Sequence, residues 1–273
     1  MAVTVTAFYK FVAISDCIKL RERLLALATE LKIKGTILVA LEGINATVSG
    51  EDASIRALLA ALRSDQRFSD LVSKESFAEG HPFRRMKVKL KREIVTIGVP
   101  EANPSLKVGT YVKPENWNAL ILDPDVVLID TRNDYEVAIG TFKGAIDPKT
   151  GSFREFPGYV KENLDPARTR KVAMFCTGGI RCEKASAYML HQGFSEVFHL
   201  EGGILKYLET VAPEESLWQG ECFVFDERVA LDYGVKVGSH ISCRACGHPV
   251  SQHSEKQRDA TRCWNCKTQL QEN

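Results

Sequence analysis

Strand-like and helix-like segments in a fixed order predict an α+β unit, then an α/β unit with a parallel sheet, then a cysteine-rich tail. Three observations carry this. Residues 1–97 run strand, helix, strand, strand, helix, strand. Short β-branched strands from residue 126 onward alternate with helical patterns, and the last stretch holds two C-x2-C pairs. At 273 residues the chain has room for about two domains and an appendage.

The first unit reads as follows. Residues 3–12 are rich in β-branched and aromatic side chains and predict a strand. Asp16 stands at an N-cap position before Leu20, Leu24, Leu27, Ala28 and Leu31, which recur at helical spacing, and Gly35 predicts the end of that helix. Strands follow at 36–41 and 46–49, around the turn-forming Glu42-Gly43-Ile44-Asn45. A second helix begins near Asp52 with Ile55, Leu58, Leu59 and Leu62 on one face, and 83–97 closes the unit as a strand. This βαββαβ order is the ferredoxin-like split unit.

Pro100, Pro104 and Pro114, without periodicity around them, predict an extended linker over 98–119. The α/β unit then spans 120–215, with short strands at 126–129, 172–175 and 197–200. Residues 216–273 form the irregular tail.

Thirty-six basic against 35 acidic side chains leave a formal charge of +1, which excludes a uniformly basic nucleic-acid binder but not a local basic patch. The first twenty residues lack the pattern of a secretory signal, and no apolar run reaches the roughly 18–20 residues of a membrane span. A soluble, cytoplasmic protein is expected, with no membrane or protein partner evident. Thiols stay reduced in that setting, so the eight cysteines point to catalysis or metal binding before disulfides.

Val172-Ala-Met-Phe-Cys176-Thr-Gly-Gly-Ile-Arg181-Cys182 places a cysteine at the C-terminal end of a buried strand, where ligands sit in open α/β sheets. Gly178 and Gly179 let the backbone curl around the sulfur, and a helix begins near Arg181. Lowering a thiol pKa from about 8.5 to about 7 takes roughly 2 kcal/mol of differential stabilisation. A helix N-terminus supplies only about 0.3–1 kcal/mol, so loop amides and Arg181 must add the rest. A buried structural cysteine is the competing reading. Cys182 has two readings, a resolving partner for Cys176 or a small residue packed beneath the loop.

Residues 176–181 resemble the active-site loop of the rhodanese family, in which the first cysteine carries a persulfide. Val127-Leu-Ile-Asp130-Thr-Arg132-Asn-Asp-Tyr-Glu136, with Gly140-Thr-Phe-Lys-Gly144-Ala145, resembles that family's first signature, and His199-Leu-Glu201-Gly202-Gly203-Ile204 its last. The resemblance implies a rhodanese-like domain over 120–215. Phosphatases of that fold use C-x5-R, whereas here Cys182 holds the C-x5 place, which favours sulfur chemistry.

Further segments extend the likeness. They are 32–50 with Glu42-Gly43-Ile44-Asn45, Arg85-Met86-Lys87-Val88-Lys89, Gly109-Thr-Tyr111, Trp117-Asn118 and Gly220-Glu221-Cys222-Phe-Val-Phe-Asp226-Glu227-Arg228. With the cysteine loop they resemble the bacterial tRNA uridine hydroxylase family. That resemblance implies oxygen-dependent formation of 5-hydroxyuridine at the tRNA wobble position, requiring the loop cysteine, with molecular oxygen as co-substrate and tRNA as partner. No organic cofactor is apparent from the residues. Two other functions stay open: a small-molecule sulfurtransferase working through a Cys176 persulfide, and a non-enzymatic RNA-binding module.

In Met86-Lys87-Val88-Lys89-Leu90-Lys91, basic and apolar residues alternate, so Met86, Val88 and Leu90 are expected in the core and Lys87, Lys89 and Lys91 outside. Arg84, Arg85 and Arg92 extend the row. It is either a solvated sheet face or a phosphate-binding one, and the family resemblance favours RNA. Phe8, Tyr9 and Phe11 read first as core residues and second as stacking surfaces.

Cys243, Cys246, Cys263 and Cys266 have C-x2-C-x16-C-x2-C spacing, which predicts a four-cysteine structural zinc site. A pair of disulfides is the rival. His240, His248 and His253 are substitute ligands, and Cys17 and Cys222 are unassigned.

Overall fold

The computed structural model describes residues 2–251 and 266. It separates into one unit of residues 1–98 with 104–106 and another of 99–103 with 107 onward. In the first, β1 (Val3–Phe11), α1 (Cys17–Glu30), β2 (Lys34–Ala40), β3 (Gly43–Gly50), α2 (Asp52–Arg63), β4 (Ser73–Ala78) and β5 (Met86–Leu90) follow one another. The sheet order is β4-β1-β3-β2-β5. Its first four strands pair antiparallel, as a ferredoxin-like sheet requires, and β5 adds to the edge parallel to β2. Leu20, Leu24 and Ala28 of α1 and Ile55, Leu58, Leu59 and Leu62 of α2 pack on Phe8, Ile37, Val39, Ile44, Val48 and Val88.

The fourth strand differs from expectation. It is Ser73–Ala78, whose polar sequence gives no alternating signal, and the 83–97 segment supplies a fifth strand over Met86–Leu90 only. An edge strand buried on one side can stay polar. Gly35 does not end the first helix. That helix ends at Glu30, Lys32 turns the chain with φ 53°, and Gly35 lies inside β2. Its φ is +135°, and a Cβ there would fall 2.4 Å from the Thr47 carbonyl oxygen. The Glu42-Gly43-Ile44-Asn45 turn is likewise shorter than expected, because Gly43 already opens β3. Asp16 is at the N-cap position, yet its carboxylate pairs with Arg67 instead of capping α1.

The second unit contains β6 (Thr110–Val112), α3 (Pro114–Ile121), β7 (Val126–Asp130), α4 (Asp134–Val137), β8 (Gly140–Phe142), α5 (Phe156–Asn163), β9 (Lys171–Phe175), α6 (Ile180–His191), β10 (Glu196–Leu200) and α7 (Gly203–Thr210). A parallel sheet runs β6-β10-β9-β7. The expected 98–119 linker therefore holds a sheet strand and the start of a helix. Three-residue β6 is too short to show periodicity.

Residues 216–251 hold more regular structure than the sequence suggests. They form β11 (Trp218–Gly220), β12 (Cys222–Phe223), β13 (Ala230–Asp232), β14 (Lys236–Val237), β15 (His240–Ser242) and β16 (Pro249–Ser251). β11 pairs antiparallel with β8, and Trp218 and Cys222 join the core of Trp117, Phe142, Phe175 and Tyr207. Phe142 meets four of those rings edge-on, at 4.7–6.1 Å between centroids.

Gly35→Ala should cost roughly 1–3 kcal/mol of stability, from the left-handed backbone and the close carbonyl. Urea unfolding of the full chain would read this as a lowered midpoint with an unchanged slope.

Candidate active site and metal-ligating cysteines

β9 ends at Phe175 and hands Cys176 to a loop that re-enters the fold at α6. Gly179 stands before that helix with φ +102°, and its N–H donates to Cys176 Sγ at 3.1 Å. The loop carbonyls turn the other way. Cys176 O accepts from the Ile204 N–H at 2.9 Å and Thr177 O from that of Leu205 at 3.1 Å. Gly203 makes this approach possible, since a Cβ there would fall 2.5 Å from Cys176 O. Amides thus face the sulfur and carbonyls face α7.

Cys176 is buried. Burial alone pushes a thiol up, but a hydrogen bond from Cys182, the Arg181 charge and the N–H groups of Cys182 and Gly179 outweigh it, holding the pKa at about 5. Cys182 is the complement. Burial, its hydrogen bond to Cys176 and the Cys176 charge raise it well above the ordinary thiol range. Its sulfur also lies 3.5 Å from Thr131 Oγ1. The two thiols are therefore pushed in opposite directions, Cys176 toward the thiolate and Cys182 toward the thiol.

Arg181 donates to both oxygens of Glu136, at 2.6 and 2.8 Å, and to Thr177 Oγ1 at 3.2 Å. Both members of the pair are buried. Burial raises the Glu136 pKa, but the Arg181 charge outweighs it and keeps the carboxyl below its ordinary range. Glu136 also accepts from the Asn133 N–H at 3.1 Å, closing a capping box on α4. A second buried pair stands nearby: Arg132 donates to Asp130 at 2.9 and 2.7 Å.

Glu136 is a site residue that the loop motif does not include. Its signal was the S/T/D/N-x-x-E capping pattern beginning at Asn133. The tail residues that line the loop had no such signal. Cys222 is buried, contacts Thr177 and is pushed up to about 12 by burial, so it is packed as a neutral thiol. Phe225 lies over the Arg181 guanidinium at 5.9 Å.

Cys243, Cys246 and Cys266 bring their sulfurs within 4.8 Å of one another. The β15–β16 hairpin presents the first two. Its turn is closed by Cys243 N–H to His248 O at 2.7 Å and Gly247 N–H to Cys243 O at 2.9 Å. Thiolates around a zinc ion at about 2.3 Å would sit roughly 3.8 Å apart, so donor type and spacing fit a metal. Cys263 and His253 lie outside the described residues. His240 bonds Glu221 at 2.7 Å, and His248 stacks on Tyr135.

The basic row lies in the first unit. Register places Lys87 beside Thr36 and Lys89 beside Leu38, on the sheet face opposite the helices, while Val88 joins the core. Arg84, Arg85, Lys89 and Lys91 are exposed and Lys87 is half-buried. Leu90 was expected in the core but is 45% exposed, because β5 ends there at the sheet edge. Phe8 is a core residue, and Tyr9 and Phe11 meet edge-on at 6.2 Å on the other face. That face is not bare: Ser49 bonds His81 at 3.0 Å, and Asn45 bonds the Ile94 carbonyl at 3.0 Å.

Titration of the Cys176 thiolate, followed by alkylation rate against pH, should show half-ionisation near pH 5, with the thiolate retained above it. Cys182→Ala removes a donor and should move that midpoint upward. Glu136→Gln leaves Arg181 buried without its counter-charge and should destabilise the fold by about 3–5 kcal/mol in urea unfolding.

The UPF0176 acylphosphatase like domain family matches residues 3–94, and the rhodanese-like domain family matches residues 114–210. Two solved structures are similar to part of the chain. A rhodanese-related protein from Thermoplasma volcanium is 21% identical, covering 38% of this chain and 95% of its own, with a TM-score of 0.32. A rhodanese-like domain from Anabaena sp. is 15% identical over 40% of this chain and 78% of its own, with a TM-score of 0.34. A tRNA uridine(34) hydroxylase from Synechocystis sp. is 59% identical over 250 residues, which is 92% of this chain and 90% of that protein. At that identity over nearly the full length of both proteins, the chain belongs to the tRNA uridine(34) hydroxylase family.

Proposed function

We propose that this protein is a tRNA-modifying oxidoreductase that hydroxylates the wobble uridine to 5-hydroxyuridine, using molecular oxygen as co-substrate and Cys176 as its reactive group. The observation that carries this is a buried cysteine held as a thiolate at the end of β9, in a chain 59% identical to a tRNA uridine(34) hydroxylase. The Gly179 and Cys182 N–H groups keep charge on the sulfur. Arg181 adds to that field from a position set by Glu136. Cys182 holds a proton at its own sulfur, beside Cys176.

Arg84, Arg85, Lys87, Lys89 and Lys91 contact tRNA phosphates, an electrostatic role that needs no base recognition. Cys243, Cys246 and Cys266, with Cys263 as fourth ligand, hold a structural zinc whose binding free energy orders the tail. Zinc has no redox chemistry, so the ion leaves the reactive thiolate undisturbed. Among the described residues no helix is long and apolar enough to cross a membrane. A cytoplasmic location fits a mechanism that needs a reduced thiol.

The C-x4-R spacing of the loop also favours a second reading, sulfur transfer from a small donor through a Cys176 persulfide. Mass spectrometry of tRNA nucleosides from deletion cells separates the two. Wild type should restore 5-hydroxyuridine-derived nucleosides and Cys176→Ala should not. Unchanged tRNA with brisk thiocyanate release would favour the sulfurtransferase, and full complementation by Cys176→Ala would leave only an RNA-binding role.

Replacing Lys87, Lys89 and Lys91 together by Ala should weaken tRNA binding and lower the slope of log affinity against log salt by up to about 2.7. An unchanged slope would remove these lysines from the interface. Cys243→Ser should reduce zinc content measured by elemental analysis, while the first unit keeps its unfolding transition.

A further inference from the structure

Phe225 is 65% exposed, although Phe223 and Val224 just before it are buried. The ring is nevertheless held in place. It meets Phe223 at 5.1 Å and 89°, and the buried Arg181 guanidinium lies 5.9 Å from its centroid. Phe223 meets Tyr135 at 5.4 Å, and Tyr135 stacks on His248 at 4.4 Å and 14°. A tight turn fixes the backbone behind it. Val224 N–H donates to Val229 O at 2.8 Å, Val229 N–H donates to Asp226 O at 3.0 Å, and the Asp226–Arg228 ion pair is buried.

This ring is therefore anchored on one side by a cation and an aromatic edge while much of its surface is left to solvent. Its anchor belongs to the reactive loop, since Arg181 is the residue whose charge acts on Cys176. Arg181 spends its fork on the buried Glu136 carboxylate and its charge is met there, so it is committed within the fold and not aimed at a phosphate. What faces solvent next to Arg181 is a flat apolar surface, the exposed Phe225 ring. Enzymes that work on a base in RNA take it out of the stack and hold it against such a surface. Stacking suits any base, because every base has a π-face.

We infer that Phe225 is a nucleobase subsite: the unstacked pyrimidine at the modification site lies against its ring and is positioned there for the Cys176 loop. The inference rests on the proposed tRNA activity. Phe225 is a positioning residue, acting on where the base sits and not on the thiolate itself.

A thermodynamic cycle on the full-length protein tests it. The probes are an anticodon stem-loop RNA with uridine at position 34 and the same RNA with that base removed. Phe225→Ala should weaken binding of the uridine RNA roughly 5- to 100-fold and leave binding of the abasic RNA nearly unchanged. The rise should appear in KM more than in kcat. The Cys176 titration midpoint should stay near pH 5 in this variant, which a loop collapse would shift.

Phe225→Trp should preserve the coupling to the base, with indole fluorescence quenched by the uridine RNA only, whereas Phe225→Leu should lose the coupling while keeping bulk. Equal weakening for both RNAs, or full coupling in Phe225→Leu, overturns the subsite. Hydroxylation by wild type with an additive cycle overturns the subsite alone. No hydroxylation by wild type overturns it together with the activity it rests on.

Discussion

The buried pair between Arg181 and Glu136 organises the second unit. A guanidinium and a carboxylate taken out of water together stay ionised only if nearly every donor and acceptor is met. Here they are met from three places at once: the loop through Thr177, the start of α6 through Arg181 itself, and the start of α4 through the Asn133 N–H. One carboxylate therefore ties the turn after β7 to the turn after β9. The Asp130–Arg132 pair repeats the device one step away, with Arg132 also donating to the Glu136 carbonyl at 3.3 Å and lying 5.2 Å over the Trp218 ring. These are the carboxyl ends of adjacent parallel strands, where this architecture places its chemistry.

Around that frame the loop solves an electrostatic conflict. A dry environment disfavours a charged sulfur, yet the two thiols of this site divide their roles so that one carries the charge and the other the proton. Their titrations belong to the pair. The helix dipole is a small contributor beside an aimed S–H donor, two backbone amides and a fixed cation. Gly179 and Gly203 permit this arrangement, one by its left-handed φ and the other by the carbonyl pressed against its α-carbon.

Much of this was legible in the chain. The cysteine loop, the two C-x2-C pairs and the apolar faces of α1 and α2 are local patterns, and local patterns survive without knowledge of the fold. What escaped depends on partners distant in sequence. Ser73–Ala78 is polar because it needs only one buried neighbour, β1. Thr110–Val112 is recognisable as a strand only beside Phe198–Leu200. Gly35 looks like a helix stop until Thr47 stands against it. Phe225 reads as an ordinary apolar residue, and its significance comes from Arg181, forty-four positions earlier.

The edges of the first sheet have one more consequence. β4 and β5 are its outermost strands, and an edge presents backbone groups that a strand of another molecule can extend. Phe77 and Leu90 are both exposed on those strands, which is the kind of surface that invites such stacking. Lys74 and Glu75 interrupt one edge, and Lys87 and Lys89 the other, so any strand that added there would have to desolvate their charges. The alternation of lysines along β5 thus sets an electrostatic cost against strand addition at that sheet edge.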